Sequence, residues 1–224
     1  MRRESRSARG QSGRPTVRKG VVRLHDDVAQ RIWLGHPFVY SEAIDPKKPL
    51  GEQGTIVELV DWEGSFVARG VVDGNSAIAI RVVSRNERAA VGPEMWAQRV
   101  NAAVDMRAQF FDLESMECLR IINAENDGIP AISVDRYGDF LVAQVSTPAV
   151  EPFLPAIYDA LEARLSPKGI YEQRRYKPLG GEAPRTGAVL VRGAVAPVEF
   201  EVSEGPLKFL VDVSAPLSTG VFPD

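Results

Sequence analysis

The sequence of 224 residues contains one cysteine, Cys118, and only two histidines, His25 and His36. A single cysteine excludes an internal disulfide and any zinc site built from several thiolates. No apolar run approaches the roughly 18–20 residues that a membrane-spanning helix needs. The basic amino terminus also lacks the apolar segment of a secretory signal. We therefore expect a cytoplasmic protein that does not associate with a membrane.

Signatures of catalysis are also missing. No phosphate-binding glycine fingerprint of the type G-x-G-x-x-G or G-x-x-x-x-G-K-[ST] follows a predicted strand. His36 precedes a proline and has no serine or cysteine nucleophile motif beside it, which favours a structural role. Cys118 lies in an apolar stretch, where a free cysteine behaves as a small hydrophobic residue. The residues alone predict no catalytic group and no metal site.

Charge is distributed unevenly along the chain. Residues 1–20 hold seven Lys or Arg and one Glu, which gives them a charge of +6. Because the whole chain has a net charge of −3, residues 21–224 carry −9. Residues 1–19 are rich in Arg, Ser and Gly without apolar periodicity, which predicts a disordered basic tail. Such tails often contact nucleic-acid phosphates. A solubilising or non-native leader is the alternative.

Short apolar runs separated by glycine and proline fill residues 20–88. A helix is predicted around Asp27–Leu34 and a strand at Phe38–Ile44. The segment TIVELVDWEGSFVARGVV predicts a hairpin around the turn Glu63-Gly64, and SAIAIRVV predicts a further strand. Closely spaced short strands of this kind predict a small barrel or sandwich.

Helical and extended patterns alternate in residues 92–195. Pro93 fits the first position of a linking helix, whose apolar residues are Trp96, Val100, Ala103 or Val104, and Phe111. A second helix is predicted from Thr147-Pro148 to about Leu165. Strands are predicted in the segments CLRIIN, AISVD, FLVAQVS, GIYEQR and AVLVRG. A hairpin around Glu204-Gly205 opens the last segment, residues 197–224, and the fold class is predicted to be α+β.

Three acidic residues, Glu125, Asp127 and Asp135, form the one group that resembles a hydrolytic or metal site. A hydrolase needs such carboxylates to converge around a substrate. Asn126-Asp127-Gly128 is also what a turn between strands requires, because these residues tolerate positive φ. We favour the turn. An ion pair from Arg120 or Arg136 to these acids is the next interpretation, and a metal-using hydrolase is the least favoured of the three.

Several segments together resemble one family of bacterial enzymes. They are GHPFVYSEAI, GTIVELVDWEGSFVARGVV, SAIAIRVVSR, RIINAENDGIPAISVDRYGDFLVAQVST, GIYEQR and EFEVSEGPLKFLVDV. They resemble PUA-domain-containing, class I S-adenosylmethionine-dependent methyltransferases that modify carbon 5 of a cytosine in 23S rRNA. The resemblance covers about residues 18–224. It implies a PUA-like RNA-binding domain at 20–88 and a central α+β domain at 92–195.

The resemblance also implies where a cofactor would bind. STGVFPD is similar to the family loop that borders S-adenosylmethionine, matching at Thr219, Gly220, Phe222 and Asp224, with Ser218 where lysine is common. In the family a Rossmann-like catalytic domain follows this loop. The resemblance therefore predicts a truncated methyltransferase that lacks the Rossmann-like domain, binds no cofactor alone and is inactive alone.

The resemblance implies structured RNA, 23S rRNA in particular, as the partner, and a homodimer as in related proteins. The RNA-contact candidates are Arg31, His36, Arg81 and Arg85. Two interpretations remain open. The chain is either the RNA-recognition portion of a large-subunit rRNA methyltransferase or a stand-alone RNA-binding module without catalysis.

Overall fold

The structure, a computed structural model, describes residues 20–44, 50–74, 77–176 and 187–214. The first sheet is built from β1 (Val21–Arg23), β2 (Phe38–Tyr40), β3 (Ile56–Val60), β4 (Phe66–Val72) and β5 (Ile78–Ser84). Its strand order is β1-β3-β4-β5-β2. Only the pairing of β1 with β3 is parallel. The predicted strands of this region therefore form one mixed sheet.

The β3–β4 hairpin is confirmed, with Gly64 at φ +93° in the turn. The strand predicted at Phe38–Ile44 was too long, because β2 ends at Tyr40 and Ser41–Ala43 form a 3-10 helix. The Ser41 hydroxyl donates to the Ala77 carbonyl, and the Ile44 N–H donates to the Ser41 carbonyl. These bonds turn the chain away from the sheet.

Helix α1 (Asp26–Trp33) covers the first sheet. Its buried residues Val28, Ala29 and Ile32 recur at helical spacing and pack on Val39, Leu59 and Ile80 of the strands. The opposite side of the helix leaves Trp33 exposed to solvent. One face of α1 thus closes the core of this sheet, and the other faces outward.

Helix α2 (Pro93–Ala108) begins with proline at its first turn, as predicted. Trp96, Val100, Ala103 and Val104 form its buried face. The prediction for Phe111 was wrong, since the helix ends at Ala108 and Phe111 is 40% exposed.

The central sheet contains β6 (Cys118–Asn123), β7 (Ile132–Tyr137), β8 (Phe140–Val145), β9 (Gly169–Arg174) and β10 (Val189–Gly193). Its order is β10-β9-β8-β7-β6, and β8 and β9 are parallel. The crossover between them holds α3 (Leu154–Leu165). The helix predicted from Thr147 starts as a 3-10 helix over Pro148–Phe153, with Pro152 inside it, and becomes α-helical only at Leu154.

Alternation along the central strands gives the sheet two apolar faces. In β8, Leu141 and Ala143 pack in the cluster that contains α2 and α3. Phe140 and Val142 pack in a second cluster that contains Val202 of the last hairpin. That hairpin is β11 (Phe200–Glu204) and β12 (Leu207–Val211), as predicted around Glu204-Gly205. Helices and hairpin therefore cover opposite faces of one sheet.

The observed fold is a mixed α+β structure. The two large sheets meet where Val71 and Val83 of the first sheet join the central core beside Trp96. The proposed domain boundaries and the homodimer stay predictions. Among the residues described, no helix combines the length and the apolar character needed to cross a membrane.

Candidate nucleic-acid interface

His36, just before β2, and Phe38 and Tyr40 of β2 form a cluster of rings, named here the β2 patch. Ring centroids lie 5.9 Å apart for His36–Phe38, 6.0 Å for His36–Tyr40 and 6.3 Å for Phe38–Tyr40. Tyr40 is 38% exposed, and the other two rings are half-buried. The patch thus presents one aromatic ring to solvent and supports it with two others.

The His36 ring is held by the backbone of Phe38, the first residue of β2. The Phe38 N–H lies 3.2 Å from Nδ1 of His36, and the Phe38 carbonyl oxygen lies 3.0 Å from the same atom. A neutral ring accepts from the N–H at Nδ1, whereas a protonated ring donates from Nδ1 to the carbonyl. Either form fixes the ring beside Tyr40.

Arg31 supplies a cation beside the patch. It lines a shallow pocket together with His36, Phe38, Tyr40 and Glu42. Its guanidinium pairs with Asp27 one turn back at 3.2 Å, and both side chains are mostly exposed. An exposed pair of this kind contributes little to stability, so Arg31 is able to exchange Asp27 for a phosphate.

Arg85, expected at an RNA contact, instead ties the protein together. Its Nε donates to the Ile32 carbonyl at 2.7 Å and its terminal nitrogen donates to the His36 carbonyl at 2.8 Å. These bonds satisfy a carbonyl of the last turn of α1 and hold the loop before β2. Partial burial lowers the pKa of the Arg85 guanidinium, which still stays protonated at neutral pH. Arg85 therefore holds the backbone of His36, and with it the β2 patch, against the end of α1.

Arg81 is a second correction, because it is only 8% exposed. Its guanidinium pairs with Asp73 at 2.8 Å and with Glu125 at 2.9 Å, and it lies 5.3 Å from the centre of the Phe38 ring. Asp73 also accepts a hydrogen bond from the Thr147 hydroxyl at 2.8 Å. Because Arg81 is itself buried and pairs with both Asp73 and Glu125, it joins the two large sheets and presents little of its guanidinium to a phosphate.

The acidic residues do not converge on a common point. Glu125 pairs with Arg81 at 2.9 Å, Asp127 with Arg107 at 2.7 Å and Asp135 with Arg120 at 2.8 Å. Within the described ranges no group of three or more His, Cys, Asp or Glu could hold a metal ion. Three separate arginines therefore neutralise three separate carboxylates, an arrangement that favours structure over hydrolysis.

The turn interpretation of the acidic segment is confirmed. Gly128 has φ +70°, and Asp127 accepts from the Asn123 N–H at 2.5 Å. The expected ion pair to Arg120 is present, whereas Arg136 donates to the Gly138 and Leu113 carbonyls. Burial raises the pKa of Asp135, and hydrogen bonding to Arg120 opposes that rise.

Cys118 is 1% exposed in β6. Burial, with lesser contributions from the charges of Glu204 and Asp135, raises the pKa of its thiol to about 12. A thiol in this state is a poor nucleophile, so the expectation of a small hydrophobic role agrees with its surroundings.

The cofactor-edge residues Thr219, Gly220, Phe222 and Asp224 lie outside the described residues, as does the basic tail of residues 1–19. The expectation for the RNA contacts named two residues of the site, Arg31 and His36, and missed Phe38 and Tyr40. The signal for them was the period-2 spacing of rings at 36, 38 and 40, which is the spacing of side chains on one side of an extended chain.

Comparison with known proteins gives this geometry a context. Residues 22–85 match the family model of the PUA-like domain, a range that includes β2–β5 and α1. The chain is 31% identical over 207 residues to a protein named ribosomal RNA large subunit methyltransferase I from Tolumonas auensis. The match covers 91% of this chain and 52% of that relative. The chain thus spans about half the length of the curated relatives it matches.

Solved structures share the fold. A protein from Streptococcus mutans named as a SAM-dependent methyltransferase superimposes with a TM-score of 0.77 at 18% identity, covering 91% of this chain and 51% of that one. A methyltransferase complexed with SAH gives a TM-score of 0.77 at 17% identity, covering 90% and 50%. Because both neighbours are named as methyltransferases, they lend no support to the expected absence of a Rossmann-like domain.

Proposed function

We propose that this chain is the RNA-recognition portion of a SAM-dependent large-subunit rRNA methyltransferase. The observation that carries the proposal is the similarity of 91% of the chain to about half of an rRNA methyltransferase, with a PUA-like domain inside that range. The finer features follow the family resemblance. They are 5-methylcytosine as the product, 23S rRNA as the substrate, and Thr219, Gly220, Phe222 and Asp224 at the edge of the SAM site.

The β2 patch is the proposed point of RNA contact. RNA is often read through unpaired bases that stack on aromatic or arginine side chains. Tyr40 offers such a ring, and Arg31 offers a nearby cation whose pairing with Asp27 is weak. We assign base stacking to Tyr40, phosphate pairing to Arg31 and support of the ring to His36. Arg81 and Arg85 hold this surface in place.

Fluorescence anisotropy with labelled 23S rRNA hairpins tests the proposal. Tyr40→Ala is expected to weaken binding about tenfold, since stacking of one base contributes about 1–3 kcal/mol. Phe111→Ala is the matched control, because Phe111 is 40% exposed against 38% for Tyr40 and lies after α2, away from the patch. Equal losses for both variants would remove the patch from the proposal.

The proposed pairing of Arg31 with an RNA phosphate is tested in the same assay. Arg31→Gln is expected to weaken binding and to reduce the slope of log affinity against log salt, because one phosphate contact is lost. Arg164→Gln is the control, since Arg164 also forms an exposed ion pair, with Asp105 at 2.7 Å. If the unmodified chain shows no measurable RNA binding at low salt, the RNA-binding proposal as a whole is wrong.

The stand-alone RNA-binding module without catalysis is the alternative, and the PUA-like match over residues 22–85 agrees with it as well. The two interpretations differ in what the DNA encodes after the Asp224 codon. An open frame with a glycine-rich strand–turn–helix segment supports the methyltransferase, and an immediate stop codon supports the module.

A further inference from the structure

The edge of the first sheet opposite β2 carries a second group of aromatic and cationic side chains, named here the β1 patch: Arg23, His25 and Trp62. β1 ends at Arg23, which lies opposite Val60 at the end of β3. The Leu24 N–H donates to the Val60 carbonyl at 2.8 Å and continues this parallel pairing. The pairing brings the residues that follow β1 beside the turn that follows β3.

The Trp62 ring is open to solvent although two side chains contact it. The His25 ring lies nearly parallel to it, with an interplanar angle of 9° and ring centroids 6.2 Å apart. The Arg23 guanidinium carbon lies 5.7 Å from the centre of the indole. Planar groups in full overlap lie about 3.5–4 Å apart, so both neighbours cover only part of the indole. Trp62 is accordingly 61% exposed, and His25 is exposed as well.

Arg23 has an unsatisfied hydrogen-bond donor. Its Nε atom is buried and has no hydrogen-bond partner. Over the described residues no carboxylate forms an ion pair with this guanidinium, whereas Arg81 of the same sheet pairs with Asp73. Buried donors nearly always have an acceptor, and an oxygen of a ligand is one that would satisfy Arg23. The patch therefore combines an open ring with a cation that has no carboxylate partner.

A planar group joined to an anion fits this patch, and an RNA nucleotide combines the two. Unpaired bases stack on aromatic and arginine side chains, and phosphates pair with guanidinium groups. Two acidic residues adjoin the rings, Asp26 after His25 and Asp61 before Trp62. The Asp61 carboxylate accepts the Ser65 N–H at 2.8 Å. Because these carboxylates weaken the local attraction for a phosphate, stacking must supply most of the affinity.

We propose that the β1 patch is a second RNA contact, in which an unpaired base stacks on Trp62 beside His25 and the adjoining phosphate pairs with Arg23. This contact rests on the proposed function, because both require an RNA ligand. β1 and β2 are opposite edges of the five-stranded sheet, about 19 Å apart at about 4.8 Å per strand. About six nucleotides span this distance at about 3.4 Å each. One RNA therefore reaches both the β1 patch and the β2 patch.

Tryptophan fluorescence reports on the contact directly. Trp33 and Trp62 are exposed, whereas Trp96, the third tryptophan of the sequence, is only 2% exposed. Binding of a 23S rRNA hairpin is expected to quench the fluorescence of Trp33→Phe, in which Trp62 is the exposed indole that remains. Trp62→Phe keeps a ring for stacking and is expected to lose that quenching. Quenching that persists undiminished in Trp62→Phe overturns the proposal.

The affinity for the same hairpins gives a second measurement. Trp62→Ala is expected to weaken binding about tenfold, the usual loss for one stacking ring, without changing the salt dependence. Phe110→Ala is the control, because Phe110 is 74% exposed and lies after α2. Equal losses for these two variants would contradict the proposal. Because the two patches lie more than about 10 Å apart, the double variant of Trp62→Ala and Tyr40→Ala is expected to lose about a hundredfold.

The salt dependence tests the cation. Arg23→Gln is expected to reduce the slope of log affinity against log salt by about 0.7, the change for one phosphate of a single strand. Arg23→Lys keeps the positive charge and is expected to keep the slope, which separates a lost charge from a disturbed fold. Arg164→Gln is again the control. Loss of affinity in Tyr40→Ala with none in Trp62→Ala refutes the β1 patch and leaves the proposed function standing, whereas a chain that binds no RNA refutes both.

Discussion

Arg81 and Glu125 form an ion pair of 2.9 Å that connects β5 of the first sheet to the turn after β6 of the central sheet. The same guanidinium neutralises Asp73, which is 1% exposed. Together with the apolar contacts of Val71 and Val83 beside Trp96, this arginine connects the first sheet to the central sheet, and it contacts the β2 patch through Phe38.

Arg81→Ala is expected to lower the free energy of unfolding by about 3–5 kcal/mol, because it leaves the Asp73 carboxylate buried without a cation. Urea denaturation followed by circular dichroism measures the change. Arg31→Ala removes an exposed ion pair and is expected to change stability by less than about 1 kcal/mol. A loss below 1 kcal/mol for Arg81→Ala would show that the junction does not depend on this residue.

Gly70→Ala is expected to destabilise the first sheet by about 1–3 kcal/mol through overpacking. A Cβ at position 70 would lie 2.3 Å from Cγ2 of Ile80 and 2.8 Å from the Arg81 carbonyl oxygen. Gly74→Ala is the matched control, since its Cβ would meet nothing within 4 Å. Thermal melts of both variants give the comparison, and equal melting temperatures would refute the steric argument.

Cys118 is expected to react with iodoacetamide about 10³-fold more slowly in the folded protein than in denaturant at pH 8, because only the thiolate reacts. The raised pKa means that the folded state holds the thiol proton more tightly than the unfolded state. The contribution of the Cys118 thiol to the free energy of unfolding is therefore fully present below about pH 8.5, the pKa of an unfolded cysteine. It is lost as the pH rises toward the folded pKa of about 12. Mass spectrometry of timed alkylation measures the rates, and similar rates in both states would contradict the assignment.

Residues 1–224 alone are expected to show no useful affinity for S-adenosylmethionine and no methyl transfer. Methylation of cytosine at carbon 5 needs a nucleophile that adds to the ring, and the one cysteine of the sequence is buried in β6. Calorimetry with the cofactor and tritiated-methyl transfer to unmodified 23S rRNA provide the measurements. Incorporation that survives Cys118→Ala would place the active site elsewhere in the chain.

Local elements were largely predictable from the sequence, and most errors fell at their ends. A few neighbouring residues are enough to predict the hairpins at Glu63-Gly64 and Glu204-Gly205 and the start of α2 at Pro93. The strand at Phe38–Ile44 was too long because a contact from Ser41 to Ala77, 36 residues away, ends it. The candidate site was predicted only in part, because the sequence does not show which arginines become buried.

The sequence by itself determined the two strand-rich regions and the helices α1, α2 and α3, because these depend on local apolar periodicity. It left Arg120 and Arg136 open as partners of the acidic residues, and the register of β6 against β7 selects Arg120, which lies opposite Asp135. Only the tertiary structure decided the roles of Arg81 and Arg85. Their partners, Glu125 and Ile32, lie 44 and 53 residues away along the chain. Such contacts depend on how separately formed sheets and helices pack, since an ion pair or hydrogen bond forms only when both groups arrive within about 3 Å of each other.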